Sequence, residues 1–264
     1  MRGTSSILAA LILILLPVMA PATVAVQGKP DGAGHPNVGL LVVVDPDNPA
    51  RTSMCSGTLV APRVFVTAGH CTARFPQARV GLVTFDTRLT TASPFAPGLI
   101  YTHPQFLLPD DVNDLGVVVL RDPVAGVRPA PLPAADLLEL RQRKPDLPDS
   151  PFITVGYGAQ RQGGATPAEL AFDGIRRVGM ARLTDLTALY AILSGSDAGG
   201  GAGGTCYGDS GGPNFLGGSD MIVGVTSAVR DATCGGQVYR AYRLDTPPAR
   251  AFLSSFAQYG VVLP

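Results

Sequence analysis

Ser210 lies in the stretch Cys206-Tyr207-Gly208-Asp209-Ser210-Gly211-Gly212-Pro213. A serine hydroxyl is a weak nucleophile until a base removes its proton and donors hold the oxyanion that forms. The flanking glycines give the backbone a freedom no other residue allows. The N–H groups of Gly208 and Ser210 can therefore turn toward one point, a candidate oxyanion hole. A bare Gly-x-Ser-x-Gly often marks only a surface turn, but Gly-Asp-Ser-Gly-Gly-Pro is far more specific. A base is offered by His70, in Thr67-Ala68-Gly69-His70-Cys71, directly after the β-rich Val64-Phe65-Val66. A carboxylate is offered by Asp114, in Asn113-Asp114-Leu115, at the head of an apolar run ending at Leu120. Asp110 and Asp111 are its local rivals, and Pro109-Asp110-Asp111 reads as a solvated turn. In chain order the set is His70, Asp114, Ser210. The other histidines, His35 and His103, also precede Ser210.

These groups need a scaffold that brings distant segments together. Residues 38–44, 55–61, 64–67, 79–85, 99–102 and 115–120 read as short strands with close turn signals, and such a series suggests a closed antiparallel barrel. Residues 129–151 are rich in proline and charge. They read as a connection, with a helical turn or two near Ala134–Arg141. A second strand series follows at 152–157, 175–183, 188–193, 213–216, 221–227 and 238–244. The tail from Pro248 to Tyr259 carries Ala251, Phe252, Phe256 and Tyr259 at helical spacing behind its prolines, which suits a short amphipathic helix packed on the second barrel. The expected class is all-β. The expected division is 26–128 for an N-terminal barrel, 129–151 for the connection, and 152–264 for a C-terminal barrel with its helix. His70 and Asp114 then fall in one half and Ser210 in the other, across an interdomain cleft.

Composition narrows the function classes. Formal net charge is zero over 264 residues, so no basic face argues for nucleic acid and no strong field for an anionic membrane. The 32 glycines and 24 prolines suit strands and turns rather than long helices. Arg2 and the apolar run Ile7–Leu16, closed by Pro17 and followed by Ala20, Ala22 and Ala25, read as a secretory signal over 1–25. That run is too short to span a bilayer. The mature chain is expected outside the cell, where disulfides persist. Its four cysteines allow three pairings. No CxxC or HxxxH spacing argues for zinc, so no metal or cofactor is expected.

The three motifs resemble those of the chymotrypsin/trypsin-like serine proteases, whose order is also His, Asp, Ser. An α/β-hydrolase needs its histidine after the serine, and this chain has none there. The resemblance implies two β-barrels packed face to face, with the site in the cleft between them. It implies Ser210 as nucleophile, His70 as general base and acid, and Asp114 as the group orienting His70. It also implies Cys55–Cys71 and Cys206–Cys234 disulfides, and a structural role for His103. The residue six before the nucleophile, Gly204, lies at the pocket base in that family, and an aspartate selecting Arg or Lys is missing there. Gly204 also ends the run 199–204, expected at the pocket wall. Ser227-Ala228-Val229 replaces the usual Ser-Trp-Gly. With Val229 narrowing one side and Gln237 intruding from the other, the pocket is expected to be small and neutral. Family members also insert a new N-terminal ammonium beside the aspartate preceding the nucleophile. Here these are Val26 and Asp209. The expectation is a secreted, monomeric serine endopeptidase acting on polypeptides after small or medium uncharged residues. The alternatives are a serine esterase on the same scaffold and a non-catalytic binding protein.

Overall fold

The computed structural model describes residues 28–144, 151–161, 170–195, 205–229, 234 and 238–264. A two-residue strand, β1 (Lys29–Pro30), precedes β2 (Val38–Val44), β3 (Thr52–Ala61) and β4 (Val64–Thr67). The one-turn helix α1 (Gly69–Thr72) leads to β5 (Val80–Thr84), β6 (Ala96–Thr102) and β7 (Gly116–Leu120). After α2 (Leu137–Gln142) come β8 (Phe152–Gly156), β9 (Gln160–Arg161) and β10 (Leu170–Ala171). Then follow β11 (Arg177–Leu186), β12 (Tyr190–Gly195), β13 (Pro213–Leu216), β14 (Ile222–Val229), β15 (Val238–Arg243) and the helix α3 (Pro247–Ser254).

The first six long strands close an antiparallel barrel in the order β2-β3-β4-β7-β6-β5. The second series runs β11-β12-β15-β14-β13-β8 and closes because β11 pairs back onto β8. Closure leaves neither ring with a free edge. The all-β, two-barrel expectation therefore holds. β1 adds to β11, with Lys29 opposite Val178.

The strand β7 is buried at every position because it lies between two cores. Side chains alternate along a strand. Val118 and Leu120 fill the first barrel with Leu41, Leu59 and Phe65. Val117 and Val119 belong to a second core, shared with Phe215, Ile222 and Val225 of the other barrel. A strand buried on both faces reads as an unbroken apolar run rather than an alternation. The same register sets up the site. Thr67 of β4 lies opposite Gly116 of β7. His70, three residues past Thr67, and Asp114, two before Gly116, are therefore delivered beyond the same barrel end.

Buried side chains lock the N-terminal arm and the tail. Arg176, 1% exposed, ion-pairs with Asp31 at 2.8 Å and donates to the carbonyls of Gly32, Val38 and Phe85. It ties the arm to both barrels. Asp245 accepts the Leu138 N–H at 2.8 Å and pairs with Arg243, fastening α2 to the second barrel. The tail helix departs from expectation in its partners. Leu253 and Phe256 enter the shared core, while Phe252 and Phe256 meet His103 and Tyr101 of the first barrel. It therefore bridges the barrels rather than packing on the second alone.

Candidate active site

His70 faces the carboxylate of Asp114. Its Nδ1 lies 2.9 and 3.1 Å from the two Asp114 oxygens, and its backbone N–H donates to Asp114 Oδ1 at 2.8 Å. Asp114 is fully buried, and its Oδ2 also accepts the Ser227 hydroxyl at 2.6 Å. An ionised carboxylate only accepts, so Nδ1 carries the ring proton and Nε2 is left as an acceptor. Burial pushes the His70 imidazolium down. The hydrogen bond and charge of Asp114 outweigh that burial and, with Asp111, raise the group above its ordinary 6.5.

Glycine holds the Ser210 turn against the segment that leads into His70. Gly211 has φ +79°, and a Cβ there would lie 2.1 Å from Thr67 Oγ1 and 2.7 Å from the Ala68 nitrogen. Only glycine lets the turn press so close to the segment leading into His70. The Ser210 carbonyl accepts the Ser56 N–H at 2.8 Å, and the Gly211 N–H donates to Thr226 at 2.7 Å. The turn is thus bonded to both barrels. Gly208 has φ +101°. Among the described residues the N–H groups of Gly208 and Ser210 have no acceptor. The hydroxyl of Ser56, fully buried, donates to the Gly208 carbonyl at 2.7 Å and accepts the Tyr157 N–H at 2.9 Å. Sequence reading missed Ser56, because its partners lie 101 and 152 residues away.

His70 and Ser210 line one cavity of about 720 Å³, together with Phe106, Tyr207, Gly208 and Val229. Ser227 lines it as well, but its hydroxyl is spent on Asp114. Gly204, the run 199–204, Gln237 and Val26 lie outside the described residues. Cys55 joins Cys71, and Cys206 joins Cys234. His103 is 5% exposed; its Nδ1 accepts the Gln105 N–H and its Nε2 donates to the Pro248 carbonyl. His35 pairs with Asp31 and stacks on Phe215.

Asp209 points away from the cavity. Its carboxylate accepts the N–H groups of Gly158 at 2.8 Å and Cys206 at 2.9 Å. A Cβ on Gly158 would fall 2.0 Å from it. Burial raises this carboxyl to about 6. A small cavity of about 20 Å³ beside it is lined by Gly28, Gly156, Gly158 and Arg177.

A base in this position must be neutral to accept a proton. Any hydrolysis through Ser210 should therefore fall as His70 gains its proton, with a midpoint above the ordinary histidine value of 6.5 because Asp114 favours the imidazolium. A pH profile of kcat/KM checks this. A flat rate from pH 5 to 8 would remove His70 from the reaction.

Residues 36–245 match the family model described as Trypsin. The vitellin-degrading protease of Bombyx mori is 29% identical over 174 residues, 60% of this chain and 61% of that protein. The chain thus spans about three-fifths of that relative. Among solved structures, HL collagenase aligns with a TM-score of 0.66 at 19% identity, over 88% of this chain and 96% of that one. The scabies mite inactivated protease paralogue S-I1 aligns at 0.62 and 17% identity, over 88% and 99%. Likeness at such identities speaks for the fold alone, and an inactivated neighbour underlines that fold does not carry function.

Proposed function

Because the chain belongs to the Trypsin family, we propose that it is a secreted serine endopeptidase working through His70, Asp114 and Ser210. The observation that carries this reading is the His70–Asp114 pair, which leaves Nε2 as an acceptor in the cavity that Ser210 also lines. Ser210 Oγ attacks the peptide carbonyl carbon while His70 Nε2 takes its proton. The oxyanion accepts the N–H groups of Gly208 and Ser210. The C–N bond then breaks, and His70 returns the proton to the leaving amine. Water repeats the sequence on the acyl-enzyme, releasing the acid. Asp114 stays ionised throughout and stabilises the imidazolium.

Specificity is proposed from Gly204, Ser227, Val229 and Gln237: small or medium uncharged side chains before the scissile bond. Cleavage mapping of a denatured protein is the test. Few cuts after Lys or Arg are expected, and a dominant Arg/Lys pattern would contradict the pocket assignment. Cleavage of simple esters with no peptide cleavage would favour the esterase reading.

Secretion and maturation are proposed together. Removal of residues 1–25 exposes Val26, whose ammonium reaches Asp209. The reading is supported by Gly28, two residues on, lining the cavity beside that carboxylate. The sign of the linkage makes it testable. A carboxyl raised from 3.8 to about 6 by burial favours folding below pH 3.8, and that advantage is lost as pH rises through 6, on the order of 3 kcal/mol. An ammonium partner lowers the carboxyl and removes the loss. A chain extended by one residue before Val26 should therefore lose several degrees of Tm between pH 4 and 7 relative to the chain beginning at Val26. Parallel curves would mean that the terminus does not reach Asp209.

A further inference from the structure

Beside the His70–Asp114 pair sits a second carboxylate that the mechanism above does not use. One oxygen of Asp111 lies within 4.8 Å of a His70 ring nitrogen and of an Asp114 oxygen. Asp111 lies in the turn that the sequence suggests, but its side chain is only 16% exposed rather than solvated. Two uncompensated carboxylates against one imidazole would hold it protonated. Arg240, on β15 of the other barrel, meets Asp111 at 2.6 Å. Its guanidinium lies 4.9 Å over the Tyr190 ring, and the Tyr190 hydroxyl donates to the Asp111 carbonyl. The Tyr242 hydroxyl donates to Asn113 at 3.0 Å. Three side chains of the second barrel thus grip the loop that delivers Asp114 to the first.

We propose that Arg240 is a positioning residue for the His70–Asp114 pair, holding the Asp114 loop through Asp111 and cancelling that carboxylate's charge beside the imidazole. The proposal rests on the reading of His70 as the base. Among the described residues the groups facing His70 are few. Asp111 and Asp114 approach from the loop before β7, and Arg240 from β15. Arg74 and Tyr207 line the cleft. Tyr190 and Tyr242 stay neutral, since burial raises both phenols. Asp209 is turned toward Gly158 and Cys206. The charge balance at His70 is therefore set chiefly by Asp114, Asp111 and Arg240.

With three histidines in the chain, NMR titration of the imidazole C–H signals, assigned by His35→Gln and His103→Gln, reads the His70 midpoint without needing activity. Asp111→Asn should lower that midpoint by about half to one pH unit, for a charge within 4.8 Å in a partly screened site, and Arg240→Gln should raise it by a similar or smaller amount. The double variant should return close to the parent value, and Arg240→Lys, which keeps the charge, should stay near it. If Arg240→Gln fails to fold, the Asp111→Asn shift and the Arg240→Lys value still decide. Midpoints that stay at the parent value in Asp111→Asn, or move upward, overturn the proposal. An organophosphate that fails to label Ser210 in the parent would instead sink the enzymatic reading, while the titration would still report on the ion pair.

Discussion

Asp114→Asn should lower turnover by roughly 10⁴, equivalent to about 5.5 kcal/mol of transition-state stabilisation. The cause is a tautomer rather than a lost fold. The carboxylate now holds His70 Nδ1–H at 2.9 Å and leaves Nε2 as an acceptor. An asparagine amide can donate to Nδ1, which moves the ring proton to Nε2, where it blocks transfer from Ser210. The amide oxygen can still accept the His70 backbone N–H or the Ser227 hydroxyl, so the surrounding structure should persist. Asp111→Asn is the matched control. Asp111 is committed to Arg240 at 2.6 Å, so its loss should shift the pH profile and cost far less turnover once His70 is neutral. Near-full activity in Asp114→Asn with loss in Asp111→Asn would reverse the assignment of the acid.

Ser210→Ala should remove about six powers of ten from kcat, because loss of the nucleophile leaves the base and acid with nothing to activate. Residual turnover above the uncatalysed rate would come from binding and from the N–H groups of Gly208 and the alanine. The chain should fold as before. The turn is held by the Ser210 carbonyl on Ser56, by Gly211 on Thr226 and by Asp209 on Cys206 and Gly158, and none of these uses the hydroxyl. Circular dichroism with a substrate assay separates the two outcomes. A folded alanine variant with parental activity would mean that Ser210 is not the nucleophile.

Local signals carried much of this molecule. The strand containing Val117–Leu120 was legible because both of its faces are buried, which writes an unbroken apolar run into the sequence. The Ser210 turn was legible because its backbone demands glycine at Gly208 and Gly211. The strand β6 begins at Ala96, three residues before the expected start, because Pro97 and Gly98 resemble turn residues and yet pair opposite Leu82 and Gly81. Ser56, Asp111 and Arg240 were not legible. Their contacts span 152 and 129 residues and depend on how two closed barrels meet, which no local period encodes. The same holds for the tail helix: its apolar spacing was visible, but its contact with Tyr101 and His103 follows from the barrel interface.

The central claim is that Ser210 is a nucleophile activated by His70. Incubation of the folded protein with a fluorophosphonate, followed by intact mass and peptide mapping, tests it most directly. One equivalent of adduct on Ser210 is expected, forming faster as pH rises through the His70 midpoint and absent from Ser210→Ala and from denatured protein. A folded parent protein that takes up no adduct, or takes it up on another residue, would contradict the account.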